Sequence, residues 1–154
     1  MRTLLRQILS ILAILLIFNS CGESYYIENN LHGVWQVVLI EKKSTSRVFE
    51  AKGELYYMFQ RSMVQLCYKD HNVPEAMTRY IAHFDIVASD SIKMGGFRIH
   101  STGEGEQMNK EKEVAVERLR KFGLYQDYTT FYMEQSKQKL ILTSDSALVE
   151  LRRY

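Results

Sequence analysis

The chain is poor in the residues that break structure or staple it, with one proline, eight glycines and two cysteines in 154 residues. So little proline and glycine leaves no place for a flexible linker and argues for one folded domain. Cys21 and Cys67 cannot make a disulfide framework, and His32, His71, His83 and His100 show no metal-ligand spacing. No apolar run reaches the ~20 residues that a membrane-spanning helix needs. A charge excess of one sign is also missing: Arg2 and Arg6 are the only charges in residues 1–20, and the chain after them carries as many acids as bases. That balance excludes the basic field on which nucleic-acid binding depends. There is no Gly-x-Ser-x-Gly nucleophile motif and no complete phosphate-loop glycine pattern. Glu104 and Glu106, set among Gly103 and Gly105, read as a solvated loop rather than a general acid and base. The expectation is therefore a protein that is not an enzyme, with no catalytic residue, no metal and no cofactor.

What is present begins with an address. Residues 1–7 carry the two arginines and residues 8–18 are apolar apart from Ser10, which is the form of a signal peptide spanning residues 1–20. The following Phe18-Asn19-Ser20-Cys21-Gly22 resembles the lipobox of bacterial lipoproteins, with small residues on both sides of Cys21 and Phe18 where that family usually has Leu. The resemblance implies a lipid on the Cys21 thiol, cleavage before Cys21 and acylation of the new amino group. Several acyl chains anchor stably where one chain binds only marginally. Gly22 in place of Asp favours the outer membrane, on its periplasmic or its cell-surface face. Residues 21–30 then form the lipidated cysteine and a polar tether. Cys67, left without a partner in a strand-like run, reads as a small buried hydrophobe.

Residues 31–154 read as one antiparallel β domain. From Gly33 the chain alternates, with Trp35, Val37 and Leu39 on one face and Val34, Val38 and Ile40 on the other. Residues 42–47 form a polar loop, 54–59 and 62–69 a hairpin, 70–78 a longer loop, and 79–87 with 91–98 a second strand pair. Gly95-Gly96 reads as a bulge or bend. After a glycine-bearing loop, 101–108, residues 110–122 read as the one helix, capped by Asn109 and stopped by Gly123. Ala115, Leu119 and Phe122 give it a narrow apolar stripe that has to lie on the strands, and the loop before it is the element free to gate a lumen. Strands at 129–134, 139–143 and 147–153 complete the chain. Eight strands with one helix inserted between the fifth and sixth close most simply into an all-β, antiparallel up-and-down barrel, because closure removes exposed edges. An open sheet or a two-sheet sandwich is the rival arrangement. Eight strands enclose an interior that side chains fill or that holds one small ligand.

Gly33-Val34-Trp35 resembles the Gly-x-Trp of lipocalins and other calycin barrels, and residues 149–154 resemble their last strand, which lays an Arg across that Trp. Arg153 falls on the same face as Val149 and Leu151, so Gly33, Trp35 and Arg153 are the expected closure of the barrel's narrow end. The stretches 55–66 and 121–132 resemble an uncharacterised lipocalin-like lipoprotein family of gut-type Gram-negative bacteria, and the likeness extends over nearly the whole mature chain. It implies a lipocalin-like barrel and an envelope location, and assigns no chemistry. Two functions follow as expectations. In one, the anchored barrel binds a small hydrophobic ligand whose contact residues are left unassigned; in the other, a filled barrel presents its loops to a protein partner. The anchor has its own test. Wild-type protein from membranes should carry acyl mass on a chain beginning at Cys21, and Cys21→Ala should yield an unprocessed, unacylated species; wild type without acyl mass overturns the lipoprotein assignment.

Overall fold

The computed structural model describes residues 30–51, 53–68, 79–100 and 114–154. The segment 1–20, Cys21, most of the tether, His71, Glu104, Glu106 and the 101–108 loop lie outside the described residues. Nine strands are present among those described: β1 (Gly33–Lys42), β2 (Arg47–Glu50), β3 (Leu55–Gln60), β4 (Met63–Tyr68), β5 (Arg79–Ala88), β6 (Ser91–His100), β7 (Tyr128–Gln135), β8 (Lys139–Thr143) and β9 (Ala147–Arg153). From β3 to β9 each strand pairs antiparallel with the next, and β1 pairs with both β3 and β9. Eight strands therefore form a closed ring. β3 covers β1 only as far as Gln36, and β2 takes over the same edge from Leu39 to Lys42.

β2 corrects the sequence reading. It starts at Arg47, the end of the expected 42–47 loop, and runs into the stretch before residue 54 for which no element was expected, and its presence places the helix after the sixth strand rather than between the fifth and sixth. The four residues Arg47, Val48, Phe49 and Glu50 are all exposed, so no buried face repeats along them and no periodicity marks them. The helix is corrected as well. It spans only α1 (Val116–Leu119) and continues as a 3-10 turn, Arg120–Phe122. Of the expected 110–122, residues 110–113 lie outside the described residues, while Val114 and Ala115 precede the helix. Val114 gives its N–H to the carbonyl of Phe97, which holds this stretch against β6, and Ala115 is extended at ψ 137 and exposed. Leu119 and Phe122 are buried, and Val114 replaces Ala115 as the third apolar contact.

Alternation puts Val64 and Leu66, Tyr80, Ala82 and Phe84, Leu140 and Leu142, and Val149 and Leu151 inside the ring. In β1 a bulge between Val37 and Leu39 breaks the period. Val38 is pushed outward, and Ile40 rather than Leu39 is the next buried residue after Val37, contrary to the plain alternation. A second bulge falls at Gly96 and Phe97, where β6 holds one extra residue against β5 and Gly96 takes φ 64. The interior is filled by large rings: Trp35, Tyr57, Phe59, Phe84 and Phe131 are each at most 3% exposed and sit among Leu66, Met94, Leu140 and Leu142. Edge-to-face contact orders part of this packing, with the Phe59 and Phe84 centroids 5.5 Å apart.

Candidate functional site

At the end of the barrel where the described chain enters, the Trp35 indole N–H donates to the carbonyl of Leu31 at 2.7 Å. The β1–β9 register sets Trp35 opposite Arg153, and the Arg153 guanidinium lies 5.2 Å from the centre of the Trp35 ring. Arg153 Nη2 also donates to the carbonyl of His32 at 2.8 Å, tying the last strand to the chain just before the first. Gly33 stands beneath the guanidinium at φ 132, and a Cβ there would lie 3.5 Å from Arg153 Nη2. A side chain at Gly33 would be strained in the backbone, while its Cβ would meet the arginine only at ordinary contact distance. Arg152 turns outward and donates to Gln36 Oε1 at 2.8 Å.

The opposite end is stoppered by the connection between β6 and β7. Leu119, Phe122 and Leu124 are all but inaccessible. The Phe122 ring meets Tyr57 and Tyr80 edge-on, at centroid distances of 6.2 and 6.1 Å. The Tyr57 hydroxyl reaches from the barrel interior to donate to the Phe122 carbonyl at 2.5 Å. Burial pushes the Tyr57 phenol far above its ordinary range, so it stays a neutral donor at any physiological pH. Gly123 ends the 3-10 turn in the left-handed region at φ 82, and a Cβ there would sit 2.4 Å from Val149 Cγ2. Only glycine lets the turn drop so close to β9.

Beside this stopper, at the rim, a groove of about 420 Å³ opens between β2 and the helical turn. Phe49 pairs with Ile40 across the β1–β2 ladder and so points to the inner side, yet it is 56% exposed because little is packed over it. Ile40, Val48, Phe49 and Tyr125 give the groove an apolar lining. Lys42, Arg47, Arg120 and Lys121 surround it with positive charge. Part of that charge is already engaged: Lys42 Nζ lies 5.4 Å from the Tyr125 ring centre, Lys121 Nζ 4.3 Å from that of Tyr68, and Arg120 pairs with Glu117 at 3.6 Å. An apolar cleft under a cationic rim suits a molecule with an apolar body and an anionic head. Sequence reasoning missed these residues, since a four-residue exposed strand carries no buried pattern; the Val48-Phe49 pair was the one available signal.

Other candidate residues are dispersed. His32 and His83 are exposed, the first at the closed end and the second on the outer wall. Cys67 is half-buried as a free thiol in β4. Among the described residues no three His, Cys, Asp or Glu side chains come together as a metal site.

A closed ring of eight antiparallel strands, opened by Gly-x-Trp and sealed by an arginine of the last strand over that indole, is a calycin-type barrel. A lipocalin-like domain model matches residues 15–154, and the chain belongs to that family. A lipocalin-like protein from Bacteroides uniformis superposes with a TM-score of 0.56 at 16% identity, over 81% of this chain and 99% of that one. An uncharacterized protein from Bacteroides eggerthii gives a TM-score of 0.57 at 16% identity, over 80% and 99% of the two chains. At that identity the likeness is one of fold. No curated protein matches the chain.

The stacked pair at the closed end makes a measurable prediction. A double-mutant cycle on Trp35→Phe and Arg153→Met, read by urea unfolding, should give a coupling of about 1 kcal/mol. Additive single effects would show that the guanidinium and the indole act independently.

Proposed function

We propose that this protein is a lipid-anchored outer-membrane lipoprotein and a binder rather than an enzyme, taking a small, largely apolar ligand at the rim of its barrel. The observation that carries the reading is Phe49, a large ring facing the inner side of the β1–β2 ladder and left uncovered beside Ile40 and Tyr125. With the lumen occupied by Trp35, Tyr57, Phe59 and Phe131, a guest finds its apolar surface at the rim rather than in the depth of the barrel. Lys42 and Arg47, placed directly opposite each other at the end of the same ladder, favour a ligand that ends in an anion.

The filled interior favours a second reading as well, a module whose rim meets a protein partner. Titration with cis-parinaric acid, an anionic fluorescent fatty acid, separates the two. Wild type should enhance the fluorescence saturably, and Phe49→Asp should weaken binding at least tenfold, because burying a phenyl ring contributes about 1.5–3 kcal/mol. Unchanged affinity in Phe49→Asp would remove the rim site, and the absence of any binding by wild type would leave the partner-binding module.

A further inference from the structure

We propose that the outer wall of the barrel across β5, β6 and β7 is a second binding site, and that its ligand is a saccharide chain. The strand registers align Met63, His83, Gly95 and Tyr128 in one row across β4 to β7, with Asp85, Lys93 and Thr130 in the next row. Gly95 brings no side chain to the middle of its row, and the bulge at Gly96 lowers the wall further. The result is a depression of about 710 Å³, bounded by Met63, His83, Asp85, Lys93, Arg98 and Tyr128. It shares no residue with the rim groove.

The two glycines are required by the tyrosine. A Cβ on Gly95 would lie 2.6 Å from Tyr128 Cδ1 and 2.1 Å from the Asp127 carbonyl oxygen, and one on Gly96 would lie 2.9 Å from the Tyr128 hydroxyl. The phenol is thus laid along the glycine pair while 60% of the residue stays exposed, which holds a flat aromatic face at the edge of the depression. Lys93 Nζ stands over that ring, 5.5 Å from its centre, so a sugar that stacks there shares the open face with the ammonium, which can donate to its hydroxyls. Four residues along β7 on the same face, Tyr132 is 64% exposed. At 3.3–3.4 Å per residue their Cα atoms are about 13 Å apart along the strand. Two exposed tyrosines so placed on one face suit an extended run of linked sugar rings rather than a single small molecule.

The composition of the wall selects the ligand class. A lipid tail would cover Asp85 and Lys93 without offering either a partner, which is costly. A polyanion would meet Lys93 and Arg98 favourably and be opposed by Asp85, which stands directly across the ladder from Lys93. A pyranose has flat C–H faces that stack on an aromatic ring and hydroxyls that both donate and accept. Tyr128 offers the ring, Asp85 the acceptor, and Lys93 the donor, on neighbouring positions of one face.

Affinity electrophoresis of the native protein in gels cast with xylan, mannan, dextran or polygalacturonate tests this directly. At least one of the neutral polymers should retard wild type, Tyr128→Ala should weaken that retardation at least tenfold, and Tyr132→Ala should weaken it less. Because Tyr128 also packs against Gly95 and Gly96, Asp85→Ala, at an exposed site on β5, provides a variant that keeps the fold, removes the acceptor and should lose most of the binding. Phe49→Asp should be retarded like wild type, so failure at the rim and failure on the wall are separable. No retardation by any neutral polymer, retardation by polygalacturonate alone that disappears with added salt, or full retardation of Tyr128→Ala and Asp85→Ala would each overturn the proposal.

Discussion

Eight strands enclose a space that side chains alone can fill, and the rest of this structure depends on the fact that they do. Trp35, Tyr57, Phe59, Phe84 and Phe131 take up the interior, and Phe122 is wedged in from the connection between β6 and β7. The hydrogen bond from Tyr57 to the Phe122 carbonyl joins the barrel wall to that wedge and gives a buried hydroxyl its partner. At the other end Arg153 reaches over Trp35 to the His32 carbonyl, so one strand seals the ring, covers the indole and secures the entering chain. A tightly packed interior of this kind favours one native arrangement.

Both candidate surfaces arise where the regular sheet is interrupted. β3 leaves the last part of β1 uncovered, and β2 occupies that edge without burying its own side chains. This fills most of the unpaired edge at little cost in core, and it leaves Phe49 and Val48 available beside the cations of the rim. On the opposite kind of surface, the outer wall, Gly95 and the adjoining bulge at Gly96 bring no side chains and let Tyr128 lie down. Glycine serves close approach in both regions: Gly123 lets the turn descend onto Val149 below the rim, as Gly95 and Gly96 admit Tyr128 on the wall.

The strand order was legible because most strands alternate cleanly between buried and exposed residues and are joined by short polar turns, as in β7 to β9. The face of β9 could likewise be assigned, because no bulge intervenes between Val149 and Arg153. β1 was harder to read, since the bulge at Val38 exchanges Leu39 for Ile40 and its cause lies in the partner strands. The start of the helix was obscured because Val114 spends its N–H on Phe97, a contact distant in sequence. The rim and wall sites were hidden for the same reason. Each joins residues of several elements, and neither Phe49 nor Tyr128 carries a motif that declares its neighbours.

Whether side chains keep the lumen filled while an apolar guest is held at the rim is measured most directly by intermolecular NOEs between unlabelled cis-parinaric acid and methyl-labelled protein. Contacts are expected to the methyl groups of Ile40 and Val48, with none to Leu66, Leu140 or Leu142. Strong contacts to Leu66, Leu140 and Leu142 would mean that the barrel opens to admit its ligand and that the rim is not the site.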